Sequence, residues 1–220
     1  MPRSRVTALD RSPQLLRRLR EAAERRGTAD RLGTVETDLD APWPDLGPSA
    51  DLAWASASLH HLADPDGTLR RTFAALRPGG LLAVVEPDGL PRFLPADLGT
   101  GRPGLEDRCR ALTAPRTAEA ALHPAADWAP ALERAGFTVE AEQRYAPRPP
   151  RPLPDSVGRY AHAVLTRLRA ALDGRLDPED TEVLDLLLDP SDPEGVLSRQ
   201  DLDFRTERTL WVARRPPVSG

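Results

Sequence analysis

Leu81-Leu82-Ala83-Val84-Val85 has no polar residue at any alternate position. A strand with one wet face alternates apolar and polar residues, whereas a strand covered on both faces does not. The run therefore predicts a central strand of a parallel sheet with helices packed on either side. It follows Pro78-Gly79-Gly80, which reads as a helix stop, and ends at Glu86-Pro87. Upstream, strand-like and helix-like segments alternate. Val6 to Leu9 is a short apolar run ending at Asp10. Ser12 and Pro13 then open a helix with Leu15, Leu16, Leu19, Ala22 and Ala23 on one face, and Gly27 closes it. Gly33 to Thr37 reads as a second strand ending at Asp38, and Asp51 to Ala55 as a third that runs into Ser56–His61. Asp64 or Asp66 caps the next helix, with Leu69, Phe73 and Leu76 at helical spacing. This order predicts an α/β fold with right-handed parallel crossovers.

The rest of the chain is less regular. Residues 88–126 are rich in Pro and Gly and give no clear period. Asp127 to Ala135 reads as a helix with Trp128 and Leu132 inward, and Phe137 to Tyr145 as a strand. Pro147 to Pro154 (PRPPRPLP) predicts a stiff extended connector. Two helices follow, one with a Val157–Leu172 stripe and one starting at Asp177-Pro178-Glu179. Arg205 to Ala213 closes the chain as a strand. The expected organisation is a core of residues 1–146 and 201–215, with residues 147–200 as a helical insert. The stripes of that insert suit packing, a substrate cap or a homodimer surface.

Composition removes several functions. The 30 basic residues are all Arg. Without Lys there is no Schiff base, no pyridoxal anchor and no P-loop lysine. A short-chain reductase of the Tyr-x-x-x-Lys type is excluded for the same reason. The net charge of −4 gives no basic footprint for nucleic acid. Cys109 is the single cysteine, so no internal disulfide and no thiolate zinc site is expected. The four His lack metal-ligand spacing. No run of 18 apolar residues and no secretory signal is visible, so the expectation is no membrane association and a cytoplasmic location.

Ligands of open α/β sheets bind beyond the carboxyl ends of the strands. Three strands deliver polar residues there: Asp10, Asp38, and Ser56 to His61. A carboxylate accepts two hydrogen bonds at once, which suits the paired hydroxyls of a ribose. A second acid on the neighbouring strand suits an adenine amino group. Each acid also has a plain structural use, Asp10 at a helix start and Asp38 in a turn. His60 and His61 sit at the same edge and are the candidate bases, since imidazole is the side chain that titrates near neutrality. Equally, one could pack under the sheet edge and the other cap the following helix. His123 and His162 read as surface residues, and Glu86 either faces a substrate or is structural.

ALDRSP, then TDLDAPWP, then ADLAWASASLHHLADPDGTLRRTFAALRPGGLLAVVEP resembles the core of class I S-adenosylmethionine-dependent methyltransferases. The similarity is greatest to the small-molecule branch, whose fourth strand leads into a Leu-His-His turn and whose fifth follows Leu-Arg-Pro-Gly-Gly. It is specific from Val6 to Pro87 and looser from Asp127 to Ala213. The resemblance implies a Rossmann-like sheet, mostly parallel with an antiparallel last strand. It implies S-adenosylmethionine as cofactor and a small-molecule methyl acceptor. By position it gives Asp10, with Arg11 beside it, the ribose hydroxyls, and Asp38 the adenine amine. Leu39 would lie beside the adenine ring and Ser56 beside the methionine part.

One element of that family is missing from the sequence. Its glycine-rich loop lies roughly 20 residues before the ribose acid, which here falls before Met1. The fold is accordingly expected to be N-terminally incomplete, through a start internal to a longer reading frame, a fragment, or a paralogue that lost a central strand. An unpaired edge or a bare slot, self-association and weak cofactor binding would follow. The alternative to a methyltransferase is then a truncated, non-catalytic domain acting as a binding piece.

Overall fold

A computed structural model describes residues 4–44, 46, 50–113 and 127–217. The chain divides into two compact units. Unit 1 comprises Met1–Glu86, Asp127–Glu142 and Leu210–Gly220; unit 2 comprises Pro87–Ala126 and Gln143–Thr209.

Unit 1 holds the sheet. Strand β1 (Val6–Asp10) leads into helix α1 (Pro13–Arg25) and, after a 3₁₀ turn at Ala29–Arg31, into β2 (Leu32–Glu36). Ser12 is the N-cap of α1, as its sequence position predicts, accepting from Leu15 N–H. Strands β1 and β2 pair in parallel, from Val6 opposite Leu32 to Asp10 opposite Glu36. Strand β3 (Ala50–Ser56), a 3₁₀ turn at Leu59–His61, helix α2 (Pro65–Ala75) and β4 (Leu76–Pro87) follow. Strands β3 and β4 are also parallel. The unbroken apolar run lies in β4, and Leu82, Ala83, Val84 and Val85 are all buried.

One stretch of this unit differs from the sequence expectation. Pro78-Gly79-Gly80 does not end α2, which stops at Ala75; it lies inside β4, and Leu76 is the first residue of that strand rather than part of the helix. The register shift against Ala50–Leu52 absorbs the extra residues. Gly79 takes a φ of 78° there, and Gly80 has no room for a Cβ against the Arg77 and Ala50 carbonyls. The Pro-Gly-Gly signal marks a bulged strand rather than a helix end.

Helix α4 (Ala129–Arg134) and strands β5 (Thr138–Tyr145) and β6 (Arg208–Arg214) complete the sheet, in the order β3-β4-β6-β5. Trp128 and Leu132 are buried, as expected. Gly79 N–H donates to the Arg215 carbonyl and Arg215 N–H to the Gly80 carbonyl, while Asp88 N–H donates to the Glu207 carbonyl. The start of β4 thus meets the end of β6, so β6 runs antiparallel. The fold is the Rossmann-like α/β arrangement with a mixed sheet. The sheet is divided, however: β1-β2 forms one ladder and β3-β4-β6-β5 another. Among the described residues β1 pairs with β2 alone and β3 with β4 alone, and Val6, Leu52 and Trp54 are exposed.

Unit 2 is helical. Helix α3 (Leu105–Thr113) lies in the stretch that gives no legible period; α5 (Asp155–Ala171) and α6 (Pro178–Leu188) match the two helices expected there. Phe93, Leu105, Leu165, Leu172, Leu184 and Val196 form the centre of its core. Buried Glu106 accepts from the N–H groups of Phe93 and Leu94 and pairs with Arg110. Among the described residues, no helix is long and apolar enough to cross a membrane.

Candidate functional site

The carboxyl ends of β1 to β4 bring most of the sequence-selected residues to one side of unit 1. Asp10 ends β1. Its Oδ1 accepts from Ser12 N–H at 2.7 Å, which is the helix-start role. Its second oxygen has no partner among the described residues. Asp38 lies just beyond β2 and is exposed. One of its oxygens accepts from Asp40 N–H at 3.0 Å, the turn role. Both acids thus carry out their structural tasks with a single oxygen and leave the other open to a ligand.

The loop after β2 is pinned to the segment after β3. The Leu39 carbonyl accepts from Thr68 Oγ1 at 2.8 Å, from Arg71 Nη2 at 2.6 Å and from Trp43 Nε1 at 3.2 Å. Asp40 accepts from Ala63 N–H and Asp64 N–H, at 3.1 and 2.9 Å. The Asp64 and Ala63 N–H groups hold the Asp40 carboxyl below the usual carboxylate range, with the Arg71 and Arg11 cations adding to the effect. Asp64 in turn caps α2 through Gly67 N–H. A Cβ at Gly67 would come within 1.9 Å of the Asp64 carboxylate, so any larger residue there would make the capping side chain shift. Asp40 is not among the residues the sequence singles out; its signal is the second acid of Asp38-Leu39-Asp40, two residues after the first.

Ser56 ends β3 and is exposed. Ala57 follows in the left-handed region, at φ 50°, with its N–H donating to the Val85 carbonyl at 2.8 Å. A side chain held in that region costs free energy, and such strain clusters at ligand-binding turns. Glu86, at the end of β4, is 2% exposed. Its Oε1 accepts from Ser58 N–H at 3.0 Å and Leu59 N–H at 2.9 Å; its Oε2 lies 2.5 Å from His60 Nδ1. A carboxylate only accepts, so this contact assigns the proton to Nδ1 and leaves His60 Nε2 as the acceptor. His61 is exposed, with its ring centroid 3.9 Å from that of His60.

His162 lies elsewhere, in unit 2, with Nε2 at 3.1 Å from the Leu188 carbonyl. His123 falls outside the described residues. Among the described residues no three His, Cys, Asp or Glu side chains are grouped to hold a metal. Cys109 is buried, and burial pushes its thiol up to about 11; it is a packing residue.

Residues 1–82 match the family model described as a methyltransferase domain. Three curated relatives match in part. The trans-aconitate 2-methyltransferase of Paracidovorax citrulli is 39% identical over 87 residues, which is 40% of this chain and 31% of the relative. The 27-O-demethylrifamycin SV methyltransferase of Amycolatopsis mediterranei is 35% identical over 80 residues, 36% of this chain and 29% of the relative. The trans-aconitate 2-methyltransferase of Variovorax paradoxus is 32% identical over 124 residues, 52% and 44% respectively. The matches therefore span less than half the length of these relatives. In fold, the chain is similar to a candidate methyltransferase from Bacillus halodurans C-125, with a TM-score of 0.54 at 18% identity over 97% of this chain and 84% of that one. It is also similar to the YcgJ protein of Bacillus subtilis, with a TM-score of 0.52 at 10% identity over 98% and 84%.

Proposed function

We propose, from the premise that this chain belongs to the class I S-adenosylmethionine-dependent methyltransferases, that it serves methyl transfer from S-adenosylmethionine to a small organic molecule. One observation carries the reading. Within the matched residues, Asp10, Asp38 and Ser56 stand at successive strand ends, and the Asp40 and Leu39 bonds bring the loops after β2 and β3 together. The two acids fit a nucleoside because each retains an unpartnered carboxylate oxygen.

The open oxygen of Asp10 would hold the ribose hydroxyls, with Arg11 flanking them. Asp38 would accept from the adenine amine, with Leu39 beside the ring and Ser56 toward the methionine part. The bound cofactor would supply an electrophilic methyl group on sulfur. Positioning does most of the work in such a displacement. Where the acceptor must lose a proton, His60 Nε2 would take it, and Glu86 would hold the ring and stabilise the resulting imidazolium. His61 is the second candidate base.

Calorimetric titration with S-adenosylhomocysteine tests the reading. Loss of a charge-assisted hydrogen bond costs about 1.5–3 kcal/mol, so Asp10→Ala should weaken binding at least tenfold. Unchanged affinity in Asp10→Ala would remove Asp10 from the site. A second reading, a non-catalytic binding domain, is favoured by the open edges of β1 and β3 with Leu52 and Trp54 exposed. Absence of any binding heat, together with self-association in sedimentation, would favour that reading instead.

A further inference from the structure

Unit 2 contains a cavity of about 760 Å³. It lies where the chain leaves β4, and it is lined by the segments 88–92, 146–153 and 203–207. Four guanidinium groups belong to its wall: Arg92, Arg148, Arg151 and Arg205. We propose that this cavity binds a small organic oxyanion, a compact molecule with a partly apolar body and a carboxylate or phosphate group.

Three of those four guanidinium groups are already held by neighbouring groups. Arg92 pairs with Asp107. Arg151 and Arg205 share Asp203, at 3.1 and 3.5 Å, and each also donates to a backbone carbonyl, Leu202 and Leu94 respectively. One carboxylate therefore holds two guanidinium groups in place, and each guanidinium has five N–H donors, more than these contacts use. Arg148 has no hydrogen bond or ion pair among the described residues, yet it stands on the same wall. The acids on the wall are Asp88, Asp203 and Glu207. Asp88 accepts from Thr209 Oγ1 with both oxygens at 2.9 Å and lies 3.8 Å from Arg144. Glu207 has no side-chain partner among the described residues and opposes an anion. Pro147, Pro149, Leu153 and Phe204 supply apolar wall between the charges. A wall of fixed and free guanidinium groups separated by apolar side chains suits an anionic head on an apolar body.

As an anion site the cavity stands independently of the cofactor and of the methyl-transfer reading. The test is titration of the full chain, without cofactor, with benzoate, citrate, phenyl phosphate and inorganic phosphate, and with benzyl alcohol as the neutral control. The proposal expects at least one organic anion to bind below millimolar concentration, more tightly than benzyl alcohol and less tightly at high salt. Benzoate or citrate above phenyl phosphate would assign the head as a carboxylate, and the reverse order as a phosphate. Arg148→Gln should weaken binding at least fivefold, Arg148→Lys should restore part of it, and Glu207→Gln should tighten it. Arg148 and Glu207 make no side-chain bond among the described residues on which folding depends, so these variants test the site rather than the fold. Equal binding of benzyl alcohol, no binding of any anion, or anion affinity unchanged in Arg148→Gln would overturn the proposal. Asp10→Ala should leave anion affinity unchanged, so loss of the cofactor reading and loss of this one are separate results.

Discussion

Removing the Glu86 carboxylate should cost unit 1 a large part of its stability, and two substitutions should do so differently. Glu86 is buried and serves three donors: Ser58 N–H, Leu59 N–H and His60 Nδ1–H. In Glu86→Ala, two backbone N–H groups lose their acceptor, at about 1–3 kcal/mol each, and a cavity is left behind. The expected loss is about 4 kcal/mol, against a total that is ordinarily about 5–15 kcal/mol. Glu86→Gln retains an oxygen for Ser58 and Leu59 but loses the charge. It also turns an N–H₂ group toward His60, which must move its proton to Nε2. The expected loss is about 2 kcal/mol. All four tryptophans, Trp43, Trp54, Trp128 and Trp211, belong to unit 1. Urea denaturation followed by tryptophan fluorescence therefore reports this unit. A loss below about 1 kcal/mol in Glu86→Ala, or equal losses in both variants, would refute the assigned role. The Gln variant should also abolish any rate that depends on His60 acting as a base.

Further outcomes are expected elsewhere in the chain. Ala57→Val should destabilise unit 1 by more than about 1 kcal/mol, because a β-branched side chain fits the left-handed region poorly, whereas Ala57→Gly should be neutral or slightly stabilising; urea midpoints measure both. Cys109, with a thiol pushed up to about 11, should resist a disulfide reagent at about pH 8 in the folded protein and react at once in denaturant. Asp180 accepts from Arg108 at 2.8 and 2.6 Å and is 4% exposed. Arg108 above all holds its carboxyl below the ordinary value. A depressed folded-state pKa gives stability that is present above the unfolded pKa and lost as pH falls through the folded one. Asp180→Asn should therefore cost unit 2 about 2 kcal/mol at neutral pH, a gap that closes below about pH 4, as read by thermal melts across pH.

Much of unit 1 is legible in the sequence because its signals are local. Ser12-Pro13, the apolar stripe of α1 and the unbroken Leu81–Val85 run each correspond to an observed element. Pro78-Gly79-Gly80 misleads because glycines that stop a helix also permit a bulged strand, and only the register against β3 decides between the two. Helix α3 is hidden by its Pro- and Gly-rich flanks, although Leu105 and Cys109 bury as a helical pair would. Of the site, Asp10, Asp38 and His60 can be placed from their positions after strands. The local bonds of Asp10 to Ser12 and of Asp38 to Asp40 follow from the same positions, but the long-range ones do not, because Asp40 reaches 23 residues to Ala63 and Glu86 reaches 26 back to His60. Such bonds are set by the crossover geometry of the sheet, which no local pattern encodes.

The central claim is that the strand ends of unit 1 hold S-adenosylmethionine. Hydrogen–deuterium exchange of the full chain, with and without S-adenosylhomocysteine, locates that site most directly. The account predicts slower exchange at residues 10–12, 38–41 and 56–60 when the ligand is present, and no ligand-dependent change in α5 or α6. Unchanged exchange in all three segments at a saturating ligand concentration, or protection confined to unit 2, would contradict it.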